Sequence, residues 1–157
     1  MKLLLLLLLP LLAPTFAARA QTTTPPPSTE TAAVQATIRA FFDGMRRADS
    51  AAVGATLAPG AIFHTITNGP GPPAVHPESP AAFLRAVGTP HQEVWDERIR
   101  FEQVLIDANL ASVWTPYEFY RGTTFSHCGY NSFQLVKLAA GWRIAHVIDT
   151  RRKDKCK

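Results

Sequence analysis

The residues in this chain best suited to moving protons fall in strand-like sequence. His127 and Asn131 lie four apart within Thr124–Leu138, so the period of two puts them on one face with Gly129 and Phe133. That sets an imidazole and an amide beside a glycine, where a ligand can approach the backbone closely. His64 lies in the β-branched run Ala61–Thr67, on one face with Ile62 and Ile66. If both faces border one cavity, two imidazoles and an amide converge, and a group titrating near neutrality suits acid–base work. Each histidine also reads as a core imidazole bonded to backbone or carboxylate.

Three further residues belong with these. Tyr117 shares a face with Val113, Thr115 and Phe119, as an oxyanion donor or as an amphipathic core aromatic. Glu97 shares the Trp95 face. An acid on an apolar face has a raised pKa and can shuttle protons, unless a neighbouring Arg pairs with it. Asp149, near the end of the last strand, reads as an ion-pair partner of Arg151 or Arg98. The catalytic candidates are therefore His64 and His127. The candidate ligand-binding set is His64, Trp95, Tyr117, His127 and Asn131.

Other chemistries lack their motifs. No His-x-His or His-x-x-x-His spacing preassembles a metal site, so no metal is expected. A nucleophile elbow, a phosphate loop and a dinucleotide fingerprint are all missing, so no cofactor is expected.

The elements that position these residues follow from periodicity. Val34, Ile38, Phe41, Phe42 and Met45 form one apolar face of a helix over Thr31–Ala48, capped by Ser28 or Thr29 with Glu30 near its start. Asp49 or Ser50 caps a second helix, Ala51–Leu57, ended by Pro59-Gly60. The strand Ala61–Thr67 follows, and then Asn68–Pro77, a Gly/Pro-rich loop that with His76 could lie over a cavity mouth. Ser79-Pro80 opens a third helix, Pro80–Val87. Glu93–Asp107 alternates, with Trp95, Ile99, Phe101 and Leu105 on one face. Leu110–Tyr120 is the next strand, Pro116 marking a bulge or bend, and Thr124–Leu138 and Trp142–Arg151 complete a meander. Trp114 and Trp142 read as core or interface packing. Helices early and strands late make an α+β pattern. A curved antiparallel sheet with about three helices on its concave face would enclose a pocket; periodicity gives the layers and not the curvature.

The N-terminus reads as an export signal: Lys2, the Leu run Leu3–Leu12, and Ala18-Arg19-Ala20 before Gln21. Residues 1–20 form the signal, 21–30 a Thr/Pro-rich linker, 31–152 the domain and 153–157 a basic, solvated tail. The apolar run is too short for a bilayer span of roughly 20 residues, so membrane contact is expected only during export. Losing Lys2 and Arg19 lowers the net charge from +4 to +2. Little electrostatic footprint for nucleic acid remains. A periplasmic or extracellular location is oxidising, so Cys128 and Cys156 are expected to pair, with two free thiols as the alternative.

The strings Trp95-Asp96-Glu97-Arg98, Ser126-His127-Cys128-Gly129, Phe133-Gln134-Leu135 and Asp149-Thr150-Arg151-Arg152 resemble an exported bacterial group named for lumazine binding. That group belongs to the SnoaL-like branch of the nuclear transport factor 2-like superfamily. The likeness spans roughly Thr31–Cys156. It implies a cone-shaped α+β barrel with a deep cavity, often a homodimer packed through the sheet. The superfamily contains isomerases, cyclases, dehydratases and non-catalytic binders, so fold does not imply function. The leading expectation is an exported domain binding a small apolar or aromatic molecule. The alternatives are a SnoaL-like isomerase, cyclase or dehydratase using His acid–base chemistry, and a dimerisation module with a vestigial pocket. An enzyme site calls for a cavity of roughly 300 Å³ or more.

Overall fold

The computed structural model describes residues 28–67 and 71–156. The signal segment and most of the Thr/Pro-rich linker lie outside the described residues, as do positions 68–70 of the expected loop. Among these residues three helices and seven strands follow in the order α1 (Thr29–Arg46), α2 (Ser50–Ala55), β1 (Leu57–Thr67), β2 (Ala74–Glu78), α3 (Pro80–Gly88), β3 (Trp95–Ile99), β4 (Gln103–Asp107), β5 (Leu110–Arg121), β6 (Thr124–Leu138) and β7 (Gly141–Arg151). No helix among the described residues is long and apolar enough to cross a membrane.

The helices form where the sequence places their caps. Ser28 accepts from the Thr31 N–H, Asp49 from that of Ala52 and Ser79 from that of Ala82, each supplying an acceptor to an otherwise orphaned first-turn donor. The five apolar residues of α1 are all buried. They pack on Phe133, Leu135 and Ile144 from the sheet and on Phe63. Glu30 in the first turn of α1 accepts from Lys137 Nζ at 2.7 Å and Trp142 Nε1 at 2.9 Å, pinning the helix to the β6–β7 hairpin.

The strands lie in the order β2-β1-β7-β6-β5-β3, with β4 also on β5. The sheet is mixed: β1 runs parallel to β7, which the long excursion through α3 and the meander allows. It curves around the helices and stays open, because β2 at one edge and β3 and β4 at the other do not meet.

Besides the antiparallel sheet, which is mixed, three expectations change. Pro59-Gly60 does not end α2. It lies inside β1, where the pairing with β7 shifts register between Leu57 and Ile62 and Gly60 takes φ +74°. The loop expected over 68–77 contains β2, which pairs antiparallel with β1, and His76 bonds Thr67 Oγ1 at 2.9 Å. All five β2 residues are exposed, so no alternation marks it. The single strand expected over Glu93–Asp107 is two. β3 pairs Ile99 with Tyr117 and β4 pairs Gln103 with Trp114, a one-residue slip across Arg100–Glu102 opposite Pro116, which has no N–H for the ladder. The slip swaps faces, so Leu105 is 64% exposed while Val104 and Ile106 pack on the core. The expected pairing of the two cysteines is present. Cys128 and Cys156 are joined with Cα atoms 5.8 Å apart, and Cys128 and Arg152 exchange two backbone hydrogen bonds at 2.9 Å.

Candidate functional site

Register places the polar residues of the concave face in rows. Thr65, Asp149, Asn131 and Thr115 stand opposite one another across β1, β7, β6 and β5. Toward the open end, Glu97, Phe119 and His127 form a row across β3, β5 and β6. Above them sit α1 and α3, with Phe41 stacked on Phe83 at 5.6 Å and edge-on to Phe133 at 6.4 Å. Two chambers lie between. The inner one, of about 70 Å³, is bounded by these phenylalanines, Thr65, Tyr117, Asn131 and Asp149. The outer one, of about 190 Å³, is bounded by Trp95, Phe119, Arg121 and Ala86. Met45, Glu78, Phe83, Glu97, His127 and Arg151 border both. Neither chamber alone reaches the volume set for an enzyme of ordinary substrate size.

Asp149 is the structural hub. Its carboxylate accepts from Thr65 Oγ1 at 2.6 Å, Arg151 Nε at 3.1 Å and the Tyr117 hydroxyl at 3.2 Å. Of the two partners the sequence offered, Arg151 pairs with Asp149, and Arg98 pairs with Asp96 at 2.8 Å. Tyr117 also donates to the Thr150 carbonyl at 2.9 Å. That carbonyl has left the β6–β7 ladder, where the Tyr130 N–H bonds Thr150 Oγ1 at 3.2 Å instead. Gly129 permits this, because a Cβ there would overlap the Thr150 carbonyl oxygen and press on the Tyr117 ring. The glycine thus admits the chain's own backbone, where the sequence allowed for a ligand. Burial, then the Glu97 and Asp149 carboxylates, push the Tyr117 hydroxyl well above the usual phenol range. Its one proton points to Asp149 and Thr150, so in this arrangement Tyr117 braces the site.

Glu97, on β3, borders both chambers. It accepts from Asn131 Nδ2 at 2.8 Å. Burial, reinforced by Asp149 and opposed by the Asn131 bond and Arg151, raises its pKa from 4.5 to about 7. His127 moves the other way: burial, then the positive charge of Arg151, lower it from 6.5 to about 4. It is neutral at pH 7, with Nδ1 3.1 Å from Ser126 Oγ, and in the tautomer protonated on Nε2 it is a donor.

The five expected binding residues divide accordingly. Tyr117, His127 and Asn131 come together around Glu97, and Trp95 borders the outer chamber, stacked on His91 at 3.9 Å. His64 borders the inner chamber, but its Nδ1 lies 3.0 Å from His146 Nε2 and its ring does not join His127 and Asn131. The reason is strand phase: Phe63 is buried against Phe41 and Phe83 while Ile62 is 49% exposed, so the Ile62–His64–Ile66 side is the outer one. The same inversion hid Thr65. Glu78 was also missed, and Arg151 was expected only as a partner of Asp149 and not as part of the cavity lining. Among the described residues no three His, Cys, Asp or Glu side chains are arranged to hold a metal.

A curved sheet with α1 and α3 packed over a cavity on its concave face defines a cavity-bearing α+β class. Within it, the chain has the nuclear transport factor 2-like fold. A nuclear transport factor 2-like protein with a cystatin-like fold from Novosphingobium aromaticivorans superposes with TM-score 0.65 at 12% identity, over 80% of this chain and 84% of that one. A ketosteroid isomerase-like protein from Erwinia carotovora atroseptica gives 0.58 at 21%, over 78% and 96%. A nuclear transport factor 2-like protein of unknown function from Silicibacter pomeroyi gives 0.59 at 17%, over 77% and 94%. At these identities the likeness establishes the fold alone. No family model matches the chain, and no curated protein matches it by sequence.

Proposed function

We propose that the chain is an exported small-molecule-binding domain whose cavity carries an acid–base site centred on Glu97. One observation carries the reading: a carboxyl that accepts from Asn131, and whose pKa burial raises to about 7, borders both chambers. Such a group takes a proton from a bound carbon or oxygen acid and returns it, while the neutral His127 beside it donates to the ligand. The histidine-based enzyme expectation thus becomes a carboxylate-based one, because a His held near pKa 4 is a weak base. The neighbour described as ketosteroid isomerase-like supports an isomerase-type activity. The test is deuterium exchange at the α-carbons of small cyclic ketones, followed by NMR in heavy water. Wild type should accelerate exchange over buffer and Glu97→Gln should not. Equal rates for both proteins would remove the catalytic half of the proposal.

The resemblance to the lumazine-named group supports a planar heteroaromatic ligand, and quenching of lumazine or flavin fluorescence on titration tests it. Export is supported by the signal-like residues 1–20 and by the Cys128–Cys156 bridge. N-terminal sequencing of protein secreted by an expressing bacterium should read from Gln21. A homodimer through the outer sheet face is supported by exposed Ile62 and Trp114, the latter stacked on Tyr130 at 5.1 Å. Sedimentation at one monomer mass would dismiss it.

A further inference from the structure

We propose that the outer chamber selects small carboxylates carrying an apolar ring, with the carboxylate held between Arg121 and Arg151. This rests on the cavity being a small-molecule site. Met45, Phe83, Trp95 and Phe119 supply an apolar wall, and the two arginines stand at the same mouth from the ends of β5 and β7. Arg151 is oriented by Asp149 through Nε alone. Among the described residues no hydrogen bond engages its two Nη atoms or the guanidinium of Arg121, which leaves two planar forks suited to a carboxylate. The opposing acids weaken this less than their number implies. Asp149 is already paired with Arg151, and Glu97 is only about half ionised near pH 7. Glu78 remains as the one fully opposing charge at this mouth.

Size narrows the class. An apolar cavity of about 150 Å³ admits a benzene ring. The outer chamber meets that at about 190 Å³ and the inner one, at about 70 Å³, does not. The inner chamber takes the equivalent of about two waters, hence a short substituent pointing inward from the ring. A carboxylate brought near Glu97 adds a second negative charge, so Glu97 is driven to hold its proton and binding takes up protons near pH 7.

Calorimetric titration of the full chain with benzoate, benzyl alcohol and benzylamine tests this. Benzoate should bind with Kd on the order of 1 mM or below, as a ligand of its size allows. Benzyl alcohol should be at least about tenfold weaker, the value of one charge-assisted bond. Benzylamine should not bind. Arg121→Ala should cost benzoate about tenfold and leave benzyl alcohol unchanged. Heats in two buffers of different ionisation enthalpy should reveal proton uptake, absent in Glu97→Gln. Benzyl alcohol or benzylamine binding as tightly as benzoate overturns the carboxylate class and leaves the cavity reading standing. No binding by any probe, with ketone exchange intact, also overturns the class alone; with exchange lost as well, the cavity reading falls too.

Discussion

Replacing Glu97 with Gln keeps the shape and keeps an oxygen for the Asn131 amide, but removes the charge. In the folded wild type the carboxyl titrates near 7, against 4.5 in an unfolded chain. A raised folded pKa means the native state holds a proton that the unfolded state has lost between these values. Glu97 therefore leaves stability intact below about pH 4.5 and withdraws it as pH rises through 7. At about 1.36 kcal/mol per pH unit, the full loss is about 3 kcal/mol. His127 has the opposite slope, since its lowered folded pKa removes stability as pH falls from 6.5 toward 4, so the wild-type profile alone mixes the two. Subtracting the variant from the wild type isolates Glu97. Urea unfolding at half-unit steps should show the proteins equal near pH 4.5 and the variant more stable by about 3 kcal/mol at pH 8. A difference independent of pH would refute the burial argument on which the site rests.

Further outcomes follow from the same geometry. Gly129→Ala forces its methyl into the Thr150 carbonyl and should lower stability by about 3 kcal/mol or prevent folding, read by thermal melting. Tyr117→Phe leaves the Thr150 carbonyl and one Asp149 oxygen short of a donor and should cost about 1–3 kcal/mol in urea. Reducing the Cys128–Cys156 bridge opens a 28-residue loop and should cost about 3.5 kcal/mol, seen as a lower urea midpoint with dithiothreitol present.

Sequence made most of the packing visible. Each helix buries one stripe, so Val34, Ile38, Phe41, Phe42 and Met45 could be read directly, and Ser28, Asp49 and Ser79 announced the starts. Strand phase was the weak link. β1 carries Ile62 and Ile66 on one side and Ala61 and Phe63 on the other, and hydrophobicity does not choose between them. The choice is made by α1 and α3, whose Phe41 and Phe83 receive Phe63. β4 was misphased for a related reason, since one extra residue opposite Pro116 reverses every later side chain. Glu97 was legible because an acid broke an otherwise apolar face. Its link to Asn131, and the withdrawal of the Thr150 carbonyl toward Tyr117, depend on registers between strands far apart in sequence. No local pattern encodes those.

The most direct test of the central claim is the titration of Glu97 itself, followed through its side-chain carboxyl carbon by NMR and assigned by loss of the signal in Glu97→Gln. An inflection near pH 7 is the predicted result. An inflection at the ordinary 4.5 would contradict the account, leaving the cavity a binding site without an acid–base group.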